Sequence, residues 1–233
     1  MEALLTLYKE KFEILDVQLK QYNLKVSQKK KATNPFLITT PEDYHSYPNK
    51  IMIFGQETNA WCKECGSNSE YSNSLDKSIE VYRNFYFNGG NNSYPGPFWN
   101  EYKRIRKEIQ ISKNAVFLWN NVNKIGRIGT GNIAEINEIQ FLYFQVILEE
   151  IKLLTPNIMV FLTGPNYDDF IKKNIGEFKQ KEIFDSIWEI SFIDEALKSI
   201  KSYKTYHPNF LYHQSKNGTV IPNLINVIKS ACI

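Results

Sequence analysis

Apolar residues at Leu4, Tyr8, Phe12, Leu15, Leu19 and Tyr22 recur every three or four positions, the spacing of one helix face. This predicts an amphipathic N-terminal helix over about 2–25, which the run Gln28-Lys29-Lys30-Lys31 ends in solvent. Asn34-Pro35 then opens an extended segment that leads through Pro41 and Pro48 to a predicted strand at 50–54, in which Lys50 precedes the apolar run Ile51-Met52-Ile53-Phe54. Similar runs at 115–120 and 158–163 predict two more, and shorter strands are expected at 187–190 and 203–206. The stretch 59–97 is polar and aromatic, contains Gly89-Gly90-Asn91-Asn92 and reads as an insertion with one helix near 75–87. A helix is expected at 98–109. Asn132-x-x-Glu135 has the form of a capping box opening one long helix through Ile136, Ile139, Leu142, Ile147 and Leu154. Asp168 and Asp169 suit the first turn of a further helix, and a last helix is expected at 223–231.

Strands alternating with helices indicate a parallel sheet covered on both faces. The expected fold is α/β: a three-layer α/β/α sandwich with a central, mainly parallel four-stranded sheet. With 233 residues, 42% hydrophobic, the chain has enough material for one well-buried domain. The domain would span 1–233, with the N-terminal helix and the 59–97 insertion attached. No apolar stretch reaches 18 residues, and the first residues lack a basic flank and cleavage site, so a soluble, cytoplasmic protein without a membrane partner is expected. Cys62, Cys65 and Cys232 are too few for a disulfide scaffold. Cys62-x-x-Cys65 has a metal-site spacing, yet tetrahedral zinc takes four ligands, so these read as ordinary loop thiols and no metal is expected. The net charge of +3 permits an acidic partner only if basic residues cluster on one face.

Five short blocks then fall in one order: Phe54-Gly55-Gln56-Glu57, Pro97-Phe98-Trp99-Asn100, Val116-Phe117-Leu118-Trp119-Asn120, Phe161-Leu162-Thr163-Gly164 and His207-Pro208-Asn209-Phe210-Leu211. Three place polar residues just after an apolar strand run, where parallel α/β sheets build their sites. Together the blocks resemble the uracil-DNA glycosylase superfamily, most nearly its family 1 enzymes, over about residues 50–212. Gly55-Gln56-Glu57-Thr58-Asn59 stands where that family's water-activating loop, Gly-Gln-Asp-Pro-Tyr, would be. Gly96-Pro97-Phe98-Trp99-Asn100-Glu101-Tyr102-Lys103 echoes its backbone-gripping loop and helix, and Phe117-Leu118-Trp119-Asn120 its base-reading strand. Gly164-Pro165 is similar to its Gly-Ser loop, and His207-Pro208-Asn209-Phe210-Leu211 to its wedge loop, His-Pro-Ser-Pro-Leu. The departures are Glu for Asp, Thr for Pro, Asn59 for the Tyr that excludes thymine, Pro165 for Ser and Phe210 for Pro. Trp61 is a candidate to replace that Tyr, and Tyr71 or Phe85 to supply the stacking aromatic.

The resemblance implies hydrolysis of the N-glycosidic bond of uracil, or a related damaged base, in DNA after base flipping, as in base excision repair, by a monomer without cofactor. Such a reaction leaves positive charge on the sugar and negative charge on the departing base. Glu57 would stabilise the sugar and position water, and His207 would donate to the base oxygen as a neutral imidazole. Asn120 offers the acceptor and donors that match the uracil edge, with Asn121 and Asn123 as rivals. Gly55, Gln56, Asn59 and Trp61 would complete the base site. Leu211, or Phe210, would fill the vacated stack. Pro97, Gly164, Pro165, Pro208 and Asn209 would contact the DNA backbone, with Lys103, Arg104 and Lys124 as charged helpers or solvated surface. Two other readings stay open: a DNA-binding protein of this fold with lost or altered catalysis, and a glycosidic-bond hydrolase for a small nucleoside-like substrate.

Overall fold

The computed structural model describes residues 2–66 and 74–233, and Tyr71 lies outside them. The chain is organised as two compact units, each assembled from three stretches: Met1–Thr39, Glu57–Gly90 and Asn121–Leu153 form the first, and Thr40–Gln56, Asn91–Asn120 and Leu154–Ile233 the second. Eight α-helices and one six-stranded sheet occur among the described residues.

The second unit carries the sheet, formed by β1 (Asn49–Gly55), β2 (Ala115–Asn121, its last residue in the first unit), β3 (Ile158–Leu162), β4 (Phe178–Phe184), β5 (Ile187–Phe192) and β6 (Lys201–Thr205). Their order is β2-β1-β3-β6-β5-β4. β1, β3 and β6 run parallel, whereas β5 and β4 pair antiparallel, so the sheet is mixed and mostly parallel. The expected four strands are therefore six. β4 escapes sequence reading because its Lys179, Gln180, Lys181 and Glu182 are exposed and show no apolar run. Charged side chains are what an edge strand needs to resist pairing with another chain. β1, β2 and β3, by contrast, are buried almost throughout and read as continuous apolar runs.

The second unit's helices are α3 (Pro97–Lys113), α6 (Asp168–Asn174), α7 (Pro208–His213) and α8 (Asn217–Ala231). α3 buries Trp99, Tyr102, Ile105 and Ile109, one face at helical spacing, and Trp99 meets Trp119 of β2 edge-on at 4.7 Å. α8 starts six residues before the expected 223, because Gly218 and Pro222 hide its first turns from a propensity reading. Along β6, Tyr203 lines a groove with Asn226 and Val227 of α8, while its neighbour Lys204 reaches Asp168 at the start of α6. Successive strand residues point to opposite faces, which places α8 and α6 on opposite sides of β6.

The first unit contains α1 (Glu2–Asn23), α2 (Leu75–Tyr82), α4 (Ala134–Tyr143) and α5 (Ile147–Leu154, its last residue in the second unit). α1 buries Leu4, Tyr8, Phe12, Leu15 and Leu19 as the spacing predicts, but it ends at Asn23, and the basic run forms a separate 3₁₀ turn. α4 and α5 correct the single long helix. Phe144 and Val146 are both wholly buried, yet on one continuous helix they would project about 160° apart, so a break at Phe144 lets both turn inward. The capping box is absent: α4 starts without a side-chain cap, and Asn132 Oδ1 instead accepts from Asn123 Nδ2 at 2.6 Å.

Lys124, expected at a surface, is fully buried in this unit. Its amine lies 2.8 Å from Glu150, which also accepts the Tyr8 hydroxyl at 2.6 Å, and it stands over the Phe36 ring. Burial pushes the Lys124 pKa down and Glu150 opposes that shift. A buried cation persists only with such a partner.

Candidate functional site

In the order β2-β1-β3, β1 lies between the two strands that follow it in the chain, a switch point at whose carboxyl ends open α/β sheets commonly place their sites. Gly55 closes β1, and Gln56 Nε2 donates to the Thr163 carbonyl beyond β3 at 2.8 Å. The next residue, Gly164, donates its N–H to the Thr205 carbonyl at the end of β6 at 3.0 Å and lies against the Tyr206–His207 backbone. From α3, the Phe98 ring stacks on His207, with centroids 5.8 Å apart and planes 16° from parallel. Four of the five sequence blocks thus meet at one edge of the second unit. Asn120, at the end of β2, is wholly buried, and its Nδ2 lies 3.5 Å from Met52 Sδ.

His207 caps α7. The Asn209 N–H donates to His207 Nδ1 at 3.2 Å, so a neutral ring carries its proton on Nε2 and presents an N–H donor there. Burial lowers its pKa to about 4 from the ordinary 6.5, so it is uncharged at neutral pH. Because Pro208 starts a helix, the residues after it turn about 100° each. Leu211 is consequently 0% exposed, whereas Phe210 is 43% exposed and stacks on Tyr206 at 4.5 Å. The expected wedge Leu211 is a core residue, and of the two apolar candidates Phe210 is the one at the surface. Pro208 is buried, Asn209 exposed, and Pro97 and Pro165 each open a helical turn.

Behind this edge, Lys204 of β6 is buried and holds both Asp168 oxygens, at 2.6 and 2.7 Å, and Gln180 Oε1 at 2.6 Å. The Phe178 and Trp188 rings flank its amine at 5.6 Å. This clamp ties the start of α6, four residues past Gly164, to the strand that ends in the His207 loop. Sequence reasoning passed over Lys204, although a lysine inside the predicted strand 203–206 was a signal.

Glu57 belongs to the first unit. Its Oε1 accepts the Gly131 N–H at 3.2 Å. Burial raises the Glu57 pKa, while that hydrogen bond and the Arg127 guanidinium pull it back. Arg127 Nε in turn donates to the Gly131 carbonyl at 2.9 Å. Loop 126–131, Gly-Arg-Ile-Gly-Thr-Gly, therefore orients the carboxylate. Sequence reasoning passed over this loop; three glycines in six residues between a strand and a helix were the signal. Gly126 is required by close approach, since a Cβ there would stand 2.5 Å from Thr58 Oγ1 and 3.2 Å from Asn59 N. Asn59 is exposed with φ +37°. Trp61 is buried edge-on against Phe36 at 5.0 Å and Phe85 at 5.5 Å, so both Trp61 and Phe85 belong to an aromatic core cluster.

Lys103 donates to the Asn92 and Tyr94 carbonyls, and Arg104 lies 3.6 Å from both Glu101 and Glu108. Cys62 and Cys65 are buried free thiols whose pKa burial pushes up to about 12. Among the described residues no three His, Cys, Asp or Glu side chains gather as metal ligands. A groove of about 420 Å³ lies on the second unit beside Ile183, Phe184, Glu189 and Tyr203, and it holds none of the residues singled out from the sequence. Comparison with family models, curated proteins and solved structures gives no match.

Proposed function

We propose that the chain is a uracil-DNA glycosylase-like hydrolase: a three-layer α/β/α protein that flips uracil, or a related damaged base, out of DNA and hydrolyses its N-glycosidic bond. The observation that carries this reading is the gathering of Gln56, Phe98, Thr163-Gly164 and His207 at one carboxyl edge of the sheet, with His207 held as a neutral N–H donor. The layers are supported by α8 and α6 on opposite faces of β6.

His207 Nε2–H would donate to the base oxygen as negative charge develops there, and a neutral donor with a low pKa has no tendency to hold a second proton. Glu57 would stabilise the cationic sugar and position water, with Gly131 fixing the carboxylate. A Glu reaches one methylene farther than an Asp, and misplacement of about 1 Å costs on the order of 10²-fold in rate, so the Gly131 bond has to set its position. Phe210 takes the stack-filling role in this reading, and exposed backbone near Pro97, Pro165 and Asn209 would meet phosphates. The enzyme would act as a monomer in the cytoplasm on DNA, without metal or redox cofactor.

Chromatography of the free base released from uracil-containing DNA tests the reading. Release by wild type and its loss in Glu57→Ala support it. Equal, tight binding of that DNA by both proteins without release favours a binding module of the same fold.

A further inference from the structure

The basic run at 28–31 is built into the first unit rather than trailing from a helix. Gly129 N–H donates to the Lys29 carbonyl at 3.1 Å and Ile128 N–H to the Lys31 carbonyl at 3.0 Å, while Thr33 N–H donates to the Gly126 carbonyl at 3.0 Å. Arg127 Nη1 adds a bond to the Lys29 carbonyl at 3.4 Å. These bonds use backbone atoms of the basic run and leave its lysine side chains out of the loop contact.

Their charges differ in availability. Lys31 is 2.7 Å from Glu64, which also accepts from Gln28. Lys29 and Lys30 make no ion pair among the described residues, whereas Arg127, without a close ion pair, still acts on the Glu57 carboxylate and lowers its pKa. Lys29 and Lys30 are exposed, as are Thr130, Gly131 and Asn132, so two lysines outside any ion pair sit beside an open loop with hydroxyl and amide donors. Most other lysines with defined contacts meet carboxylates, as Lys20 does Asp16 and Lys216 does Asp185.

We propose that Lys29, Lys30 and Arg127, set on loop 126–131, form a docking surface for the phosphate backbone of DNA. Charge complementarity selects the occupant, because ammonium, guanidinium and hydroxyl donors match phosphate oxygens and need no base sequence. The proposal rests on the glycosylase reading for its choice of DNA. The same loop holds Glu57 through Gly131, so a phosphate on this surface would be registered to the carboxylate by one short peptide segment.

The test is fluorescence anisotropy of a labelled uracil-free oligonucleotide over a series of salt concentrations. Wild type is compared with Lys29→Gln/Lys30→Gln and with Lys179→Gln/Lys181→Gln, which removes the same charge from β4. Loss of two phosphate contacts lowers the slope of log K against log salt by about 2, equally for unrelated sequences, and the β4 variant keeps the wild-type slope. An unchanged slope in the first variant, or an equal drop in the second, overturns the surface. So does binding of wild type to anionic phosphatidylserine vesicles through these lysines with none to DNA. Uracil release is read on the same proteins. Retained release with an unchanged slope overturns the surface alone, whereas a lowered slope without release by wild type keeps the surface and removes the glycosylase reading.

Discussion

His207 concentrates the residue-scale argument. A ring pressed on Phe98, with Nδ1 occupied by an amide, has its tautomer and charge set by its surroundings. An NMR titration of the histidine rings should show His207 neutral, protonated on Nε2, with a midpoint near 4, and a midpoint near 6.5 would refute that setting. The stability consequence has a definite sign. A folded pKa below the unfolded one means that stability is fully present above about pH 6.5 and is lost as pH falls toward 4, by up to about 3 kcal/mol. His207→Gln should flatten that part of a denaturation series. That His207 follows a strand was legible in the sequence, whereas the exposure of the residues after it was not. Leu211 and Phe210 are neighbours of similar hydrophobicity, and only the helix begun by Pro208 decides which is buried.

Among the elements, the two loops that set the polar groups can be tested separately. Gly126→Ala puts a Cβ within 2.5 Å of Thr58 Oγ1 and should cost about 1–3 kcal/mol in chemical denaturation. Adding Thr58→Ala should recover part of it; no cost, or no recovery, would show that the loops are not in this contact. Lys204→Met leaves Asp168 and Gln180 without their cation and should cost about 3 kcal/mol, with Lys204→Met/Asp168→Asn less damaging than the single change. A single variant as stable as wild type would remove the clamp from the account. The strands of the buried centre could be read from the sequence because burial on both faces leaves an unbroken apolar run. β4 could not, since an exposed edge of Lys and Glu looks like a loop, and the break at Phe144 is a demand of packing that helical spacing alone does not express.

At the scale of the whole molecule, composition and the alternation of strands with helices indicated the α/β class, while the number of strands and the interleaving of two units lay in long-range pairing. Among the described residues no helix is long and apolar enough to cross a membrane. The net charge of +3 gave no direction to a partner, because Lys29, Lys30 and Arg127 come together only when backbone bonds bring 28–31 to 126–131. Lys124 illustrates the same limit: in a polar stretch it looks solvated, and only the approach of α1 and α5 within its unit supplies Tyr8 and Glu150. The central claim remains the reaction. Its most direct test is alkaline cleavage of an end-labelled oligonucleotide with one deoxyuridine, single-stranded or paired with G or A, using wild type beside Glu57→Ala and His207→Leu. Breakage at uracil is expected with wild type, and a reaction slower by about 100-fold or more with either variant, on the order of the loss of one transition-state donor. Intact strands in every form with wild type, or undiminished cleavage with both variants, would contradict it.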